Sequence, residues 1–166
     1  MNSQINDVLR RQNNCVHFLA MATLAIGLSL PSAPTNAQTQ ISLQLTPMVV
    51  LNDRGGLLHE KLRQLRQLRR SNQPVRITGA ICYSTCTLYL GLPQTCVSPN
   101  TIFGFHGPSS YGRALSPKLF ERTSRLVASH YPRGLKQWYL NTGRFKIGSL
   151  YKMKGSQIIN MGVRAC

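Results

Sequence analysis

Acidic side chains are scarce in this chain. Only Asp7, Asp53, Glu60 and Glu121 stand against 20 lysines and arginines, a net charge of +16. No aspartate follows Asp53, and Glu121 is the last acid of any kind. There is a single tryptophan, Trp138. No C-x₂-C pair appears, so the usual short zinc knuckle is missing. No internal repeat or low-complexity segment is present, which excludes solenoids and low-complexity tails. The longest apolar run covers residues 16–30, shorter than the roughly 20 residues of a membrane-spanning helix.

That run has the layout of a secretory signal. Arg10 and Arg11 precede it, Pro31 ends it, and Thr35 and Ala37 supply small residues at a cleavage site. The expected division is a signal peptide at 1–37 and one domain at 38–166, a length that supports a single core. Cys15 lies before the apolar run and is not placed as a lipoprotein cysteine. The expected location is the bacterial periplasm or the extracellular space. The mature part would keep 18 basic and 3 acidic side chains, having lost Arg10, Arg11 and Asp7. Such a surface attracts polyanions. In an exported protein the expected ones are envelope components, lipid or polysaccharide. Nucleic acid is not expected as a partner, and contact with membrane is expected to be peripheral only. The oligomeric state is not legible.

Cys82, Cys86, Cys96 and Cys166 remain after cleavage. An oxidising compartment favours two disulfides among them, with three connectivities open. A disulfide at Cys166 would tie down a terminus that otherwise frays. A zinc set of Cys82, Cys86, Cys96 and His106 is the competing reading; disulfides are favoured, and neither metal nor cofactor is expected.

Alternation at Ile41, Leu43 and Leu45, and then "PMVVLN", reads as strand. "NDRGG" is a tight turn. Leu58, Leu62, Leu65 and Leu68 recur at three- and four-residue spacing, which predicts an amphipathic helix with an arginine-rich solvated face. "SNQP" breaks it, and "VRITG" is a second strand. Together these form a βαβ unit with parallel strands. A short helix is expected to begin near Ser84. Short strands are expected at residues 96–97 and 101–105, with His106 at a strand end. Ser116 and Pro117 predict a helix start, with Leu119, Thr123, Leu126, Val127 and His130 along one face. The tail at 135–166 reads as helical or irregular, with Trp138 packed against the core.

A serine at a strand-to-helix junction exposes its hydroxyl beside the unpaired N–H groups of the first helical turn. Those donors can stabilise an oxyanion. A Gly-Gly turn brings further main chain close, and a strand-end histidine can act as base. The order here is Gly55-Gly56, Ser84, His106.

That order resembles the Clp protease proteolytic subunit of the ClpP/crotonase superfamily. The matching pieces are "LNDRGG" at 51–56, "ITGAICYST" at 77–85 and "SPNTIFGFHGP" at 98–108. The "Cys-x-Ser-x-Cys-Thr" form is closer still to exported ClpP-like proteins of bacteria. The resemblance covers about residues 47–108. It implies an α/β fold, a truncated ClpP/crotonase-like domain with a small mainly parallel sheet, βαβ units and C-terminal helices. It also implies Ser84 as nucleophile and His106 as base. The N–H groups of Gly56, or Gly55 beside it, and of Thr85 would form the oxyanion hole, with a peptide or other acyl compound as substrate.

The family's triad ends in an aspartate well after the histidine, and here only Glu121, Asn141 and Asn160 are candidates to orient His106. The serine also lies five residues after Gly79, where Clp subunits have four, and little of the mature chain precedes the Gly-Gly turn. These departures imply a weak or inactive hydrolase. The alternative is a non-enzymatic basic envelope protein that binds anionic surfaces.

Overall fold

In a computed structural model, residues 45–166 are described. The expected signal peptide at 1–37 and the alternation at Ile41 and Leu43 lie outside the described residues.

The first strand, β1 (Met48–Asp53), leads through the Gly55-Gly56 turn into α1 (Leu58–Ser71). Leu65 and Leu68 of α1 are buried, Leu58 and Leu62 pack against the core, and Arg63, Arg66, Arg69 and Arg70 face solvent. The helix ends at Asn72, whose φ of 52° is the left-handed conformation common past a helix end. Pro74 then prevents continuation. Next comes β2 (Val75–Tyr83), parallel to β1 from the Met48–Val75 pair to the Asp53–Cys82 pair. The βαβ unit is therefore present.

The second strand does not stop at Gly79, as its sequence suggested, but continues to Tyr83. Glycine permits this. A Cβ at Gly79 would lie 1.2 Å from the carbonyl oxygen of Leu51, so the irregular stretch of β1 can press against β2 only where no side chain intervenes.

After β2 the chain enters the expected short helix, which begins at Ser84 and takes the tighter 3₁₀ form (Ser84–Gly91). Leu88, Tyr89 and Leu90 of this segment are buried. The expected short strands follow as β3 (Thr95–Val97) and β4 (Ile102–Phe105). Both run parallel to β2, β3 through Val75, Arg76 and Ile77 and β4 through Ile81, Cys82 and Tyr83. A small hairpin, β5 (Ser109–Ser110) and β6 (Arg113–Ala114), leads to α2 (Pro117–Ala128). Pro117 opens α2 as expected, but the Ser116 hydroxyl makes no capping hydrogen bond.

The tail is more ordered than its sequence indicated. It forms α3 (Arg133–Asn141), β7 (Tyr151–Lys154), α4 (Gly155–Asn160) and β8 (Arg164–Ala165). β7 pairs antiparallel with β4, and β8 pairs parallel with β3. The principal sheet thus runs β7-β4-β2-β3-β8, with β1 on β2, and every pairing except β7–β4 is parallel. The fold is α/β, with a small mainly parallel sheet and C-terminal helices. Its core gathers Val75, Ile77, Val97, Phe103 and Phe105 from the sheet with Leu135, Tyr139 and Ile158 from the tail. Trp138 stacks edge-on against Phe105 and Tyr151, with ring centroids at 5.1 and 5.0 Å, which is the packing role expected of it.

The four cysteines form two disulfides, Cys82–Cys86 and Cys96–Cys166. These sulfurs bond to one another, so the Cys82–Cys86–Cys96–His106 metal reading is set aside. The second bridge spans 70 positions and anchors a terminal strand of two residues. Closing so long a loop removes much denatured-chain entropy. The Cys96→Ser/Cys166→Ser variant is therefore expected to lose about 3 kcal/mol of stability. In a thermal melt this should lower the midpoint by roughly 10 °C, and an unchanged midpoint would refute it.

Candidate active site

The C-terminal ends of β2 and β4 lie side by side, with Tyr83 opposite Gly104. One residue past the first stands Ser84, and one past Phe105, the end of the second, stands His106. Adjacent parallel strands thereby bring together residues 22 positions apart: His106 Nε2 is 2.7 Å from Ser84 Oγ. His106 Nδ1 is 2.7 Å from the carbonyl oxygen of Gly107. A carbonyl can only accept, so Nδ1 carries the proton and Nε2 is left to accept from the serine hydroxyl.

Gly107 O thus occupies the place the resemblance assigned to an acid. Both ring nitrogens are engaged, and neither Asn141 nor Asn160 orients the ring. Glu121 is turned elsewhere, at 2.6 Å from Arg144 and 2.7 Å from Arg125. The Arg144 hydrogen bond is the main reason its carboxyl is held below the usual carboxylate range. The acceptor carbonyl is itself braced: Gly107 N–H donates to Lys146 O at 2.9 Å, and Tyr139 donates its hydroxyl to His106 O at 3.2 Å.

Ser84 has a φ of 55°, uncommon for a residue with a side chain. Such backbone strain collects at sites where a side chain must be aimed. Next to it lies the Gly55-Gly56 turn. A Cβ on Gly55 would sit 2.6 Å from Ser84 Cβ and 3.0 Å from Thr85 N, so the turn packs directly against the serine. Thr85 Oγ1 reaches Gly56 O at 3.3 Å and links the two segments.

The expected donors do not all remain free. The Gly55 N–H is spent on Asp53 Oδ1 at 2.7 Å, which corrects its assignment to the oxyanion hole. Thr85, as the second residue of its helix, has no intrahelical acceptor for its N–H. Among the described residues the Gly56 N–H donates to no side chain or loop carbonyl, so Gly56 and Thr85 are the donors left for an anion.

Sequence reasoning missed the support beneath this turn. Asp53 Oδ2 pairs with Lys61 Nζ at 2.9 Å, Lys61 also donates to Tyr89 OH at 2.8 Å, and Tyr89 donates to Gln64 Oε1 at 2.7 Å. Lys61 is buried on the inner side of α1 despite its charge. A buried ammonium must be paired, and Asp53 meets that need while holding Gly55 with its second oxygen. The clue in the sequence was the position of Lys61, three residues after Leu58 and four before Leu65 on the apolar stripe.

Ser84 and His106 open onto a pocket of about 190 Å³. Its walls include Leu57, Leu58, Leu88, Leu115, Val127 and Tyr131. The polar wall atoms are largely spent on one another. The Thr87 hydroxyl donates to Ser84 O at 2.7 Å and lies 2.6 Å from Tyr131 OH. Burial raises the Tyr131 and Tyr139 phenols well above their ordinary range, so both remain protonated donors. The pocket therefore presents chiefly apolar surface behind a serine–histidine pair.

No family model matches the chain, and no curated protein sequence matches it.

Proposed function

We propose that this chain is an exported serine hydrolase, related to the ClpP-like proteins, that acts on peptide or other acyl compounds. The observation that carries the reading is the 2.7 Å contact from Ser84 Oγ to His106 Nε2, with the histidine's other nitrogen held by a main-chain carbonyl. Ser84 attacks the acyl carbon as its proton passes to His106 Nε2. The Gly56 and Thr85 N–H groups receive the developing oxyanion. His106 then protonates the leaving group, and water, deprotonated by the same nitrogen, releases the acyl group from Ser84.

The apolar pocket favours a substrate with a modest hydrocarbon group on the acyl side. A cavity of about 150 Å³ holds a benzene ring, so this one suits a ring or a short branched chain. The two disulfides support placement outside the cytoplasm, in keeping with the N-terminal signal pattern.

The test is covalent labelling of oxidised protein by a fluorophosphonate. The probe forms a Ser84 Oγ–phosphorus bond and expels fluoride. The expected result is one label per chain, lost in Ser84→Ala. Absence of label on the folded parent between about pH 6 and 9 overturns the reading.

A further inference from the structure

Four exposed apolar side chains, Leu57, Tyr111, Leu119 and Leu126, sit on the segments that wall the pocket, while the others lie on and beside β1 and in the tail. Leu57 belongs to the pocket wall and is 53% exposed. Leu119 and Leu126 lie four residues before and three after Thr123, another wall residue. That spacing sets both on the pocket side of α2, yet they are 47% and 42% exposed. Tyr111 is 97% exposed at the tip of the β5–β6 hairpin, which leaves the pocket wall at Ser109.

Cations stand among these residues. Lys118 and Arg122 are exposed on α2, and Arg113 on the hairpin. Among the described residues no carboxylate pairs with any of the three. Asp53 and Glu121 are committed to Lys61, Arg125 and Arg144.

We propose that this rim docks on an anionic lipid surface, with the pocket mouth facing the headgroups. Charge and polarity together select that occupant. A second copy would bring an equally basic rim against this one, and like charges repel. A polysaccharide or nucleic acid would meet the cations but leave Leu57, Tyr111, Leu119 and Leu126 in water. An anionic bilayer takes both: headgroups meet Lys118, Arg122 and Arg113, and the leucines and the tyrosine enter the interface. The docked pocket would receive acyl groups from the lipid side. The docking itself does not depend on Ser84 reacting.

The test uses the full chain and two kinds of vesicle, equimolar phosphatidylglycerol–phosphatidylcholine and phosphatidylcholine alone. In sedimentation the chain should prefer the anionic vesicles, and that preference should fall steeply from about 50 mM to about 500 mM salt. Leu119→Gln/Leu126→Gln should weaken binding by about tenfold. Lys118→Gln/Arg122→Gln should weaken it by at least about tenfold and flatten the salt dependence. Circular dichroism should be unchanged, since all four positions are exposed.

A Tyr111→Trp reporter, read as a difference from the parent that keeps Trp138, should shift to the blue on anionic vesicles and be quenched by brominated lipid. Binding through the apolar run at residues 16–30 would leave both double variants at parent affinity, and that result overturns the proposal. So does equal affinity for the two vesicles, or an unshifted Tyr111→Trp emission on bound protein.

Discussion

His106→Ala is expected to slow fluorophosphonate labelling of Ser84 by about 10²–10⁴-fold while the melting temperature changes little. The ring's nitrogens contact only Ser84 Oγ and Gly107 O, and the core residue beside it, Phe105, is held by its own strand. What the alanine removes is the acceptor for the serine proton. Residual labelling should persist, because the Gly56 and Thr85 N–H groups proposed to receive the oxyanion are untouched, and such donors retain part of the rate when a base is lost. Second-order labelling rates against Ser84→Ala as zero provide the measurement. Equal rates for parent and His106→Ala would mean that the 2.7 Å contact does not activate the hydroxyl.

The parent rate itself should be modest. In serine proteases the acid fixes the imidazole tautomer and also stabilises the imidazolium, and placing the wrong tautomer there costs about 10⁴ in turnover. Gly107 O performs the first task fully. It performs the second only as a neutral dipole, so the cation formed on proton transfer lacks a neighbouring carboxylate. The scarcity of acid in the sequence thus has a specific consequence at His106: among the described residues a main-chain carbonyl, and no carboxylate, holds its ring.

The parts of the fold and site that were legible are those written in local pattern. Leucine spacing marked α1, the Gly-Gly turn marked its entry, and the βαβ unit followed. His106 stood out because it ends a readable strand and Ser84 because it begins a readable helix; that β2 runs on to Tyr83 and lies beside β4 is what places them in contact. Other features were hidden for physical reasons. Gly107 contributes a main-chain carbonyl, which every residue type carries, so no residue identity could reveal it. The strand β7 reads "YKMK", with a single buried methionine, and it owes its conformation to pairing with β4 across the whole of residues 106–150. Similarly, β8 is two residues long and is fixed by a disulfide whose pairing the sequence left among three choices. The leucine stripe says nothing of what pairs Lys61, whose burial depends on Asp53, a residue whose other oxygen is needed by the turn. Gly55 was assigned as a donor for the same reason: nothing local says that its N–H is already taken.

That turn is where the second large effect is expected. Gly55→Ala should cost about 4 kcal/mol and abolish labelling. Two penalties coincide. Gly55 has a φ of 95°, where a side chain is strained, and the new Cβ would fall 2.6 Å from Ser84 Cβ and 2.9 Å from Tyr83 O. The turn cannot retreat easily, because its N–H is bound to Asp53 and Asp53 is bound to the buried Lys61. The serine must therefore move, and its distance to His106 moves with it. A double-mutant cycle isolates that contact. Ser84→Gly removes the Cβ that collides, so Gly55→Ala introduced into Ser84→Gly should cost about 1–2 kcal/mol less than in the parent. The residual cost reports backbone strain and the Tyr83 carbonyl, which glycine at position 84 does not relieve. Denaturant melts of the four proteins give the coupling, and a coupling near zero would show that the turn and the serine do not press on each other.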